Sequence, residues 1–160
     1  GVHGQAIIIP GKSHSGKSTL VSELVRAGAT YYSDEYAVLD NRGRVFPWHK
    51  PISMREHAGA KQVDVPISEF GGKAGHRSLA PGLVVLTEYK ENARWRPKQL
   101  SAGASIFGML ENSVGGRFAP ERTLSALEIV ADQAMTIKSK RGEAGLIVQK
   151  IFESLGQYKY

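Results

Sequence analysis

Cysteine is missing from this 160-residue chain. Its absence excludes a disulfide-stapled secreted scaffold, a thiolate metal site and a cysteine nucleophile. Long hydrophobic runs are missing as well. The stretch Ala6-Ile7-Ile8-Ile9 is far short of the ~20 apolar residues that a membrane-crossing helix needs. No basic-then-apolar leader stands ahead of it, and the chain starts almost directly on that stretch, as an excised domain or a processed product would. By elimination the sequence is expected to be that of a soluble cytoplasmic protein. With 41% hydrophobic and 22% charged residues, extended disorder is excluded, and the length suits a single domain over residues 1–160. Internal repeats and low-complexity segments are also absent.

What the chain does have is positive charge. A net charge of +6 and a pI of about 9.6 favour anionic partners such as nucleotides, phosphorylated groups or acidic proteins. Nucleic acid is disfavoured, because the charges are scattered. The tightest cluster, Lys138, Lys140 and Arg141, has no interleaved aromatics on which bases could stack. It reads as a solvated helix end.

Hydrophobic spacing gives a coarse layout. Residues 5–9 form a short β-branched strand stopped by Pro10-Gly11. Residues 18–27 form an amphipathic helix with Leu20, Val21, Leu24 and Val25 on one face and Gly28 closing it. Strands are expected at 30–33, 36–39, 44–46, 63–65 and 83–89, with Asp40-Asn41-Arg42-Gly43 as a hairpin turn. Residues 71–77 read as a flexible basic loop. Helices are expected at 101–111, at 120–137 behind Pro120, and at 142–155. The expected fold is α/β (α+β): a strand–loop–helix unit set in a mixed, largely antiparallel β core over about 1–90, then a helical part over about 100–156.

Chemistry concentrates in Gly11-Lys12-Ser13-His14-Ser15-Gly16-Lys17-Ser18, which fits the phosphate-binding pattern G-x-x-x-x-G-K-[ST]. At this composition chance would produce the pattern in roughly 0.02 of such chains, and the strand before it and helix after it reduce that further. Glycines 11 and 16 allow backbone angles that a Cβ obstructs. The amides from His14 to Ser18, together with the helix N-terminus, can then converge on one anion. Lys17 reaches the β- and γ-phosphates, and the Ser18 hydroxyl suits Mg²⁺. Transfer further needs a carboxylate to hold metal or take a proton. Asp34-Glu35 is the strongest candidate. Asp40 is explained by its turn, and Glu88 reads as a strand residue facing solvent. Trp48 and Trp95 read as packing residues or partner contacts.

His3-Gly4, the strand, the Gly-rich loop, the helix ending Arg26-Ala27-Gly28-Ala29 and the segment Ser33-Asp34-Glu35 together resemble the C-terminal kinase domain of the HPr serine kinase/phosphorylase family, whose fold is akin to phosphoenolpyruvate carboxykinase. The match covers roughly residues 3–40. Residues 100–113 are similar to divergent members encoded with peptide-modification systems, lasso-peptide pathways among them. The resemblance implies ATP as phosphoryl donor and Mg²⁺ as cofactor, with Gly11, Ser13, His14, Ser15, Gly16, Lys17, Ser18 and Thr19 around the phosphates. It implies Asp34 as general base, His3 orienting that base, Lys17 on the transferring group, and Glu35 with Ser18 on the metal. The chain carries Glu35 where the family has Asp and Thr19 where the bifunctional enzymes have Glu, and it lacks their Glu-hydrophobic-Arg-Gly-x-Gly run. A kinase-only relative is therefore expected, acting on a serine of a small protein or precursor peptide. Relatives include hexamers, so a homo-oligomer is compatible with the resemblance. Lys50, Arg55, Lys73, His76 and Arg77 are candidates to dock an acidic acceptor. A small-molecule kinase and a non-catalytic nucleotide switch remain as alternatives.

Overall fold

The computed structural model describes residues 1–55 and 61–157. In chain order the elements are β1 (Gln5–Ile8), α1 (Lys17–Arg26), β2 (Val38–Leu39), β3 (Val45–Phe46), β4 (Ile52–Met54), β5 (Val63–Val65), β6 (Ala80–Tyr89), β7 (Lys98–Gln99), α2 (Ala102–Leu110), α3 (Gly115–Phe118), α4 (Pro120–Gln133), β8 (Met135–Arg141) and α5 (Val148–Gln157). Short 3₁₀ turns lie at Ile67–Phe70 and Ala144–Leu146.

The central sheet has the order β1-β6-β8-β7. Its middle strand explains its own composition. Residues 81–86 of β6 are all buried, because helices cover both faces of the sheet, and such strands read as unbroken apolar runs rather than alternating ones. Leu83 and Val85 pack with Leu20 and Leu24 of α1 and with Val148, Ile151 and Leu155 of α5. Val84 and Leu86 point the other way, to Met109 of α2 and to Leu127 and Val130 of α4. A third cluster, Val25, Tyr31, Ile52 and Phe70, joins α1 to the β4–β5 ribbon.

Helix and strand are mixed, as expected, but the core is not largely antiparallel. Both central ladders, β1 with β6 and β6 with β8, are parallel. Among the named strands antiparallel pairing is confined to the edge strand β7 and to the ribbons β2–β3 and β4–β5, with isolated antiparallel bridges from Val2 to Gln5 and from Val45 to Leu79. Parallel neighbours need long crossovers. Here α1 with the ribbons supplies the first crossover, and α2 to α4 supply the second.

The C-terminal part also departs from an all-helical reading. The helix expected over 120–137 ends at Gln133, where Ala134 turns extended (φ −120°, ψ 137°), and the chain continues as β8 in the middle of the sheet. The segment 142–155 is a 3₁₀ turn followed by α5. Residues 30–33 form no strand, only a bridge from Tyr31 to Ala74. That bridge also pins the expected flexible loop: Tyr31 N–H donates to Lys73 O at 2.8 Å, and Gly75 N–H donates to Tyr31 O at 2.8 Å.

Local punctuation behaves as its chemistry requires. After α1, Ala29 N–H bonds to Leu24 O and Gly28 N–H to Val25 O, with Gly28 at φ +101°. This double closure favours glycine at that position. In the β2–β3 turn the Asp40 carboxylate accepts the N–H groups of Arg42 (2.8 Å) and Arg44 (2.9 Å). Those bonds hold its carboxyl below the usual range and account for the Asp without a functional role.

Candidate functional site

The loop 11–18 leaves the C-terminal end of β1 and enters α1, with Gly16 as the helix N-cap. His14 (φ +66°) and Gly16 (φ +84°) both adopt left-handed backbone, so the loop curls tightly on itself. Gly11 lies so close to Ser15 that a Cβ on it would stand 2.8 Å from the Ser15 Oγ. That hydroxyl is buried and has no hydrogen-bond partner among the described residues. Lys17 folds over the loop, its Nζ donating to Lys12 O at 2.6 Å. Burial lowers the Lys17 pKa, and the Asp34 charge opposes that shift.

Asp34 is the acid that meets the loop. Its Oδ2 accepts the Ser18 hydroxyl at 3.1 Å and the Ser53 N–H at 3.1 Å. Its Oδ1 has only a long contact, 3.4 Å, with the Tyr31 hydroxyl, which donates at 2.7 Å to Lys50 O. Tyr31 is fully buried, and burial followed by the Asp34 charge raises its pKa, so its proton stays in place. Glu35 turns outward and pairs with Lys50 Nζ at 2.7 Å on the exposed surface. Ser33 Oγ accepts the N–H groups of Glu35 and Tyr36 and shapes this bend.

The structure therefore brings Ser18, Lys17 and Asp34 together, and leaves Glu35 without a direct bond to Ser18. His3 sits in the turn before β1, exposed and at φ +49°, at the opposite end of that strand from the loop. Its side chain makes no hydrogen bond among the described residues. Ser13 is exposed on the loop, and Thr19 is exposed in the first turn of α1. Of the basic candidates, Lys50 is committed to Glu35, and Arg55 reaches His14 Nδ1 at 2.9 Å. Arg77 offers its carbonyl to Tyr32 OH, while the His76 ring packs edge-on against His49. Glu88 is exposed on β6, Trp48 is exposed beside β3, and Trp95 packs on the α1/α5 side of the sheet.

Four contributors escaped the sequence reading: Tyr31, the Ser53 amide, Tyr89 and Arg141. Tyr89 N–H donates to Ser15 O at 3.1 Å, from the end of β6. Arg141, at the end of β8, is 2% exposed and donates to Gly16 O at 2.7 Å and to Gly142 O at 2.9 Å. Only the recognition of residues 135–141 as a strand ending beside the loop would have pointed to Arg141.

A cleft of about 380 Å³ opens beside the loop. Ile8, Ile9, Met109 and Leu127 give it an apolar floor, and Lys17, Glu35, Asn112 and Arg122 supply polar groups around it. Among the described residues no three His, Cys, Asp or Glu side chains converge as a self-contained metal site, and no helix is long and apolar enough to cross a membrane. The chain matches no known protein family, no curated protein and no solved structure.

Proposed function

We propose that the chain is an ATP- and Mg²⁺-dependent kinase that transfers the γ-phosphoryl group to a serine hydroxyl of a small protein or peptide. The observation that carries this reading is the Asp34 carboxylate, held 3.1 Å from Ser18 at the start of a helix entered through a Gly-rich loop. The loop amides, the α1 N-terminus and Lys17 would bind the polyphosphate. Ser18 and Asp34 are hard oxygen donors, the set Mg²⁺ takes together with phosphate oxygens, so the residues fit that ion. When bound, it neutralises charge on the β- and γ-phosphates.

Asp34 Oδ1, with its single long contact from the Tyr31 hydroxyl, is the freer oxygen among the described residues, since Oδ2 already accepts two donors. It takes the proton as the serine oxygen bonds to the γ-phosphorus and the bond to the β,γ-bridging oxygen breaks, releasing ADP. The cleft lies on the Lys17 side of the loop, where the γ-phosphate would end, and so suits the acceptor. Beyond it, Tyr36, Val38, Phe46 and Trp48 are all exposed, with Val38 opposite Phe46 on the ribbon that follows Asp34. An exposed apolar ribbon beside the base favours a polypeptide acceptor over a compact metabolite.

The test is transfer from γ-labelled ATP with Mg²⁺ to peptide and small-protein acceptors, including HPr and precursor peptides. Asp34→Asn should lower transfer by about 10²–10⁴-fold while ATP still binds. ATP binding with no transfer to any acceptor, and no difference in the variant, would sink the kinase reading in favour of a nucleotide switch. One observation favours a second assignment within the same reaction: Glu35, not Asp34, lines the cleft. If Glu35→Gln alone abolishes turnover and Asp34→Asn only weakens Mg²⁺ dependence, Glu35 is the base and Asp34 serves the ion alone.

A further inference from the structure

Arg141 is a buried cation in an unusual place. Its guanidinium lies against the N-terminal end of α1, where the helix dipole already presents positive charge and where anions, not cations, are stabilised. Lys17 adds a second cation on the same turn. No carboxylate stands within ion-pairing distance of Arg141 among the described residues. The nearest acid by charge, Glu143, accepts instead from the Tyr89 hydroxyl at 3.1 Å. The Tyr89 ring centroid lies 5.7 Å from the guanidinium carbon, and the Arg141 Nε–H is buried without a partner among the described residues. A buried cation of this kind is costly unless it is paired.

The placement is also specific. Gly16 O accepts both the Leu20 N–H at 3.1 Å, which begins α1, and Arg141 Nη2 at 2.7 Å. A Cβ on Gly16 would stand 2.5 Å from that Nη2. Immediately upstream, Ser15 O is fixed by Tyr89 N–H. The ends of β6 and β8 thus grip two consecutive carbonyls of the loop, and gripping the carbonyls fixes where the intervening and following N–H groups point.

We propose that Arg141 is a positioning residue for a polyphosphate in the loop, and that the bound anion supplies the counter-charge this guanidinium lacks. The proposal rests on the reading of 11–18 as a phosphate-binding loop, but not on which residue is the base or on what the acceptor is. It leaves the loop electrostatically under-compensated without an anion: the helix N-terminus and Lys17 face the cradle, the Arg141 guanidinium backs it through the Gly16 carbonyl, and a bound anion relieves both the cost of the buried charge and the crowding of like charges.

The experiment measures inorganic tripolyphosphate binding by calorimetry, without Mg²⁺, together with thermal unfolding of the same proteins with and without the anion. Arg141→Gln keeps a donor and removes the charge, and Arg141→Met removes both. We expect Arg141→Gln to unfold, ligand-free, at or above the wild-type temperature, while its tripolyphosphate affinity falls more than about tenfold and the anion-induced stabilisation shrinks with it. Arg141→Met should lose more affinity than Arg141→Gln. A purely structural arginine gives the opposite result, a lowered ligand-free unfolding temperature with affinity unchanged within about twofold, and overturns the proposal. Wild-type protein that binds no tripolyphosphate overturns the phosphate-loop reading itself. Should neither variant fold, the wild type decides by ¹H–¹⁵N spectroscopy of the buried Nε–H. A shift on saturation supports the proposal, and an unmoved signal at saturating anion overturns it.

Discussion

The two flanks of the Gly-rich loop are built to different standards. The inner flank, Ser15 and Gly16, is gripped from behind by the ends of two central strands through a backbone amide and a fully buried guanidinium. The outer flank, Lys12 to His14, is held by a long Ser15 N–H to Lys12 O bond and by long side chains: the half-buried Lys17 reaching back to Lys12 O, and the exposed Arg55 touching His14 and Gln62. Groups fixed by packing are preorganised, whereas contacts between exposed charged chains are worth little and rearrange readily. A ligand entering this loop would thus meet a fixed floor and an adjustable rim, and Lys17 would exchange a carbonyl for a phosphate oxygen.

Substitutions can break or sharpen that contrast. The largest effect is expected at Gly16→Ala. The left-handed backbone alone costs about 1–2 kcal/mol, before the new Cβ meets Arg141, and tripolyphosphate affinity should fall by at least about tenfold. Tyr31→Phe comes next. Losing the hydroxyl that donates to Lys50 O should lower stability by about 1 kcal/mol in denaturant titration and loosen Asp34, seen as a fall in kcat with little change in ATP binding. Arg122→Ala, on the cleft side, should raise the KM for an acidic peptide acceptor by up to about fivefold and leave kcat alone, the scale of one exposed charge contact. Arg55→Ala tests the outer flank and should change tripolyphosphate affinity by less than about twofold. If Arg55→Ala proves as damaging as Gly16→Ala, the distinction between floor and rim is wrong.

The readable parts of the sequence were those with local chemistry. Pro10-Gly11 stopped the first strand, Gly28 closed the first helix, Asp40 and Gly43 made the hairpin turn, and Pro120 opened α4. The loop was legible because its pattern is contiguous. Strand β8 was not. No Gly or Pro separates it from α4, and Ala131, Ala134 and Met135 continue a helical stripe on paper, so only the sheet's demand for a partner to β6 ends the helix at Gln133. The outer half of β8 is polar because it lies at the rim, which also disguised Arg141 as part of a solvated Lys-Ser-Lys-Arg run. Its bond to Gly16 spans 125 positions, and no spacing argument reaches that far. The pairing of Ser18 with Asp34 was half legible: the acid was named, but the supporting Ser53 amide comes from β4, a strand whose polar-apolar mixture in a Pro-flanked segment gave no period.

The strand order β1-β6-β8 also has a consequence for when the protein becomes itself. The loop is complete within the first ninth of the chain, yet the strand that grips Gly16 ends at residue 141. Contacts this distant in sequence are slow to form, since the closure entropy comes before the reward. A nascent chain would carry the whole Gly-rich loop sequence long before it could hold that loop in shape, and β6 would wait with an open edge until β8 arrived. Stopping synthesis before Met135 should therefore yield a chain that has every residue of the motif and none of its rigidity.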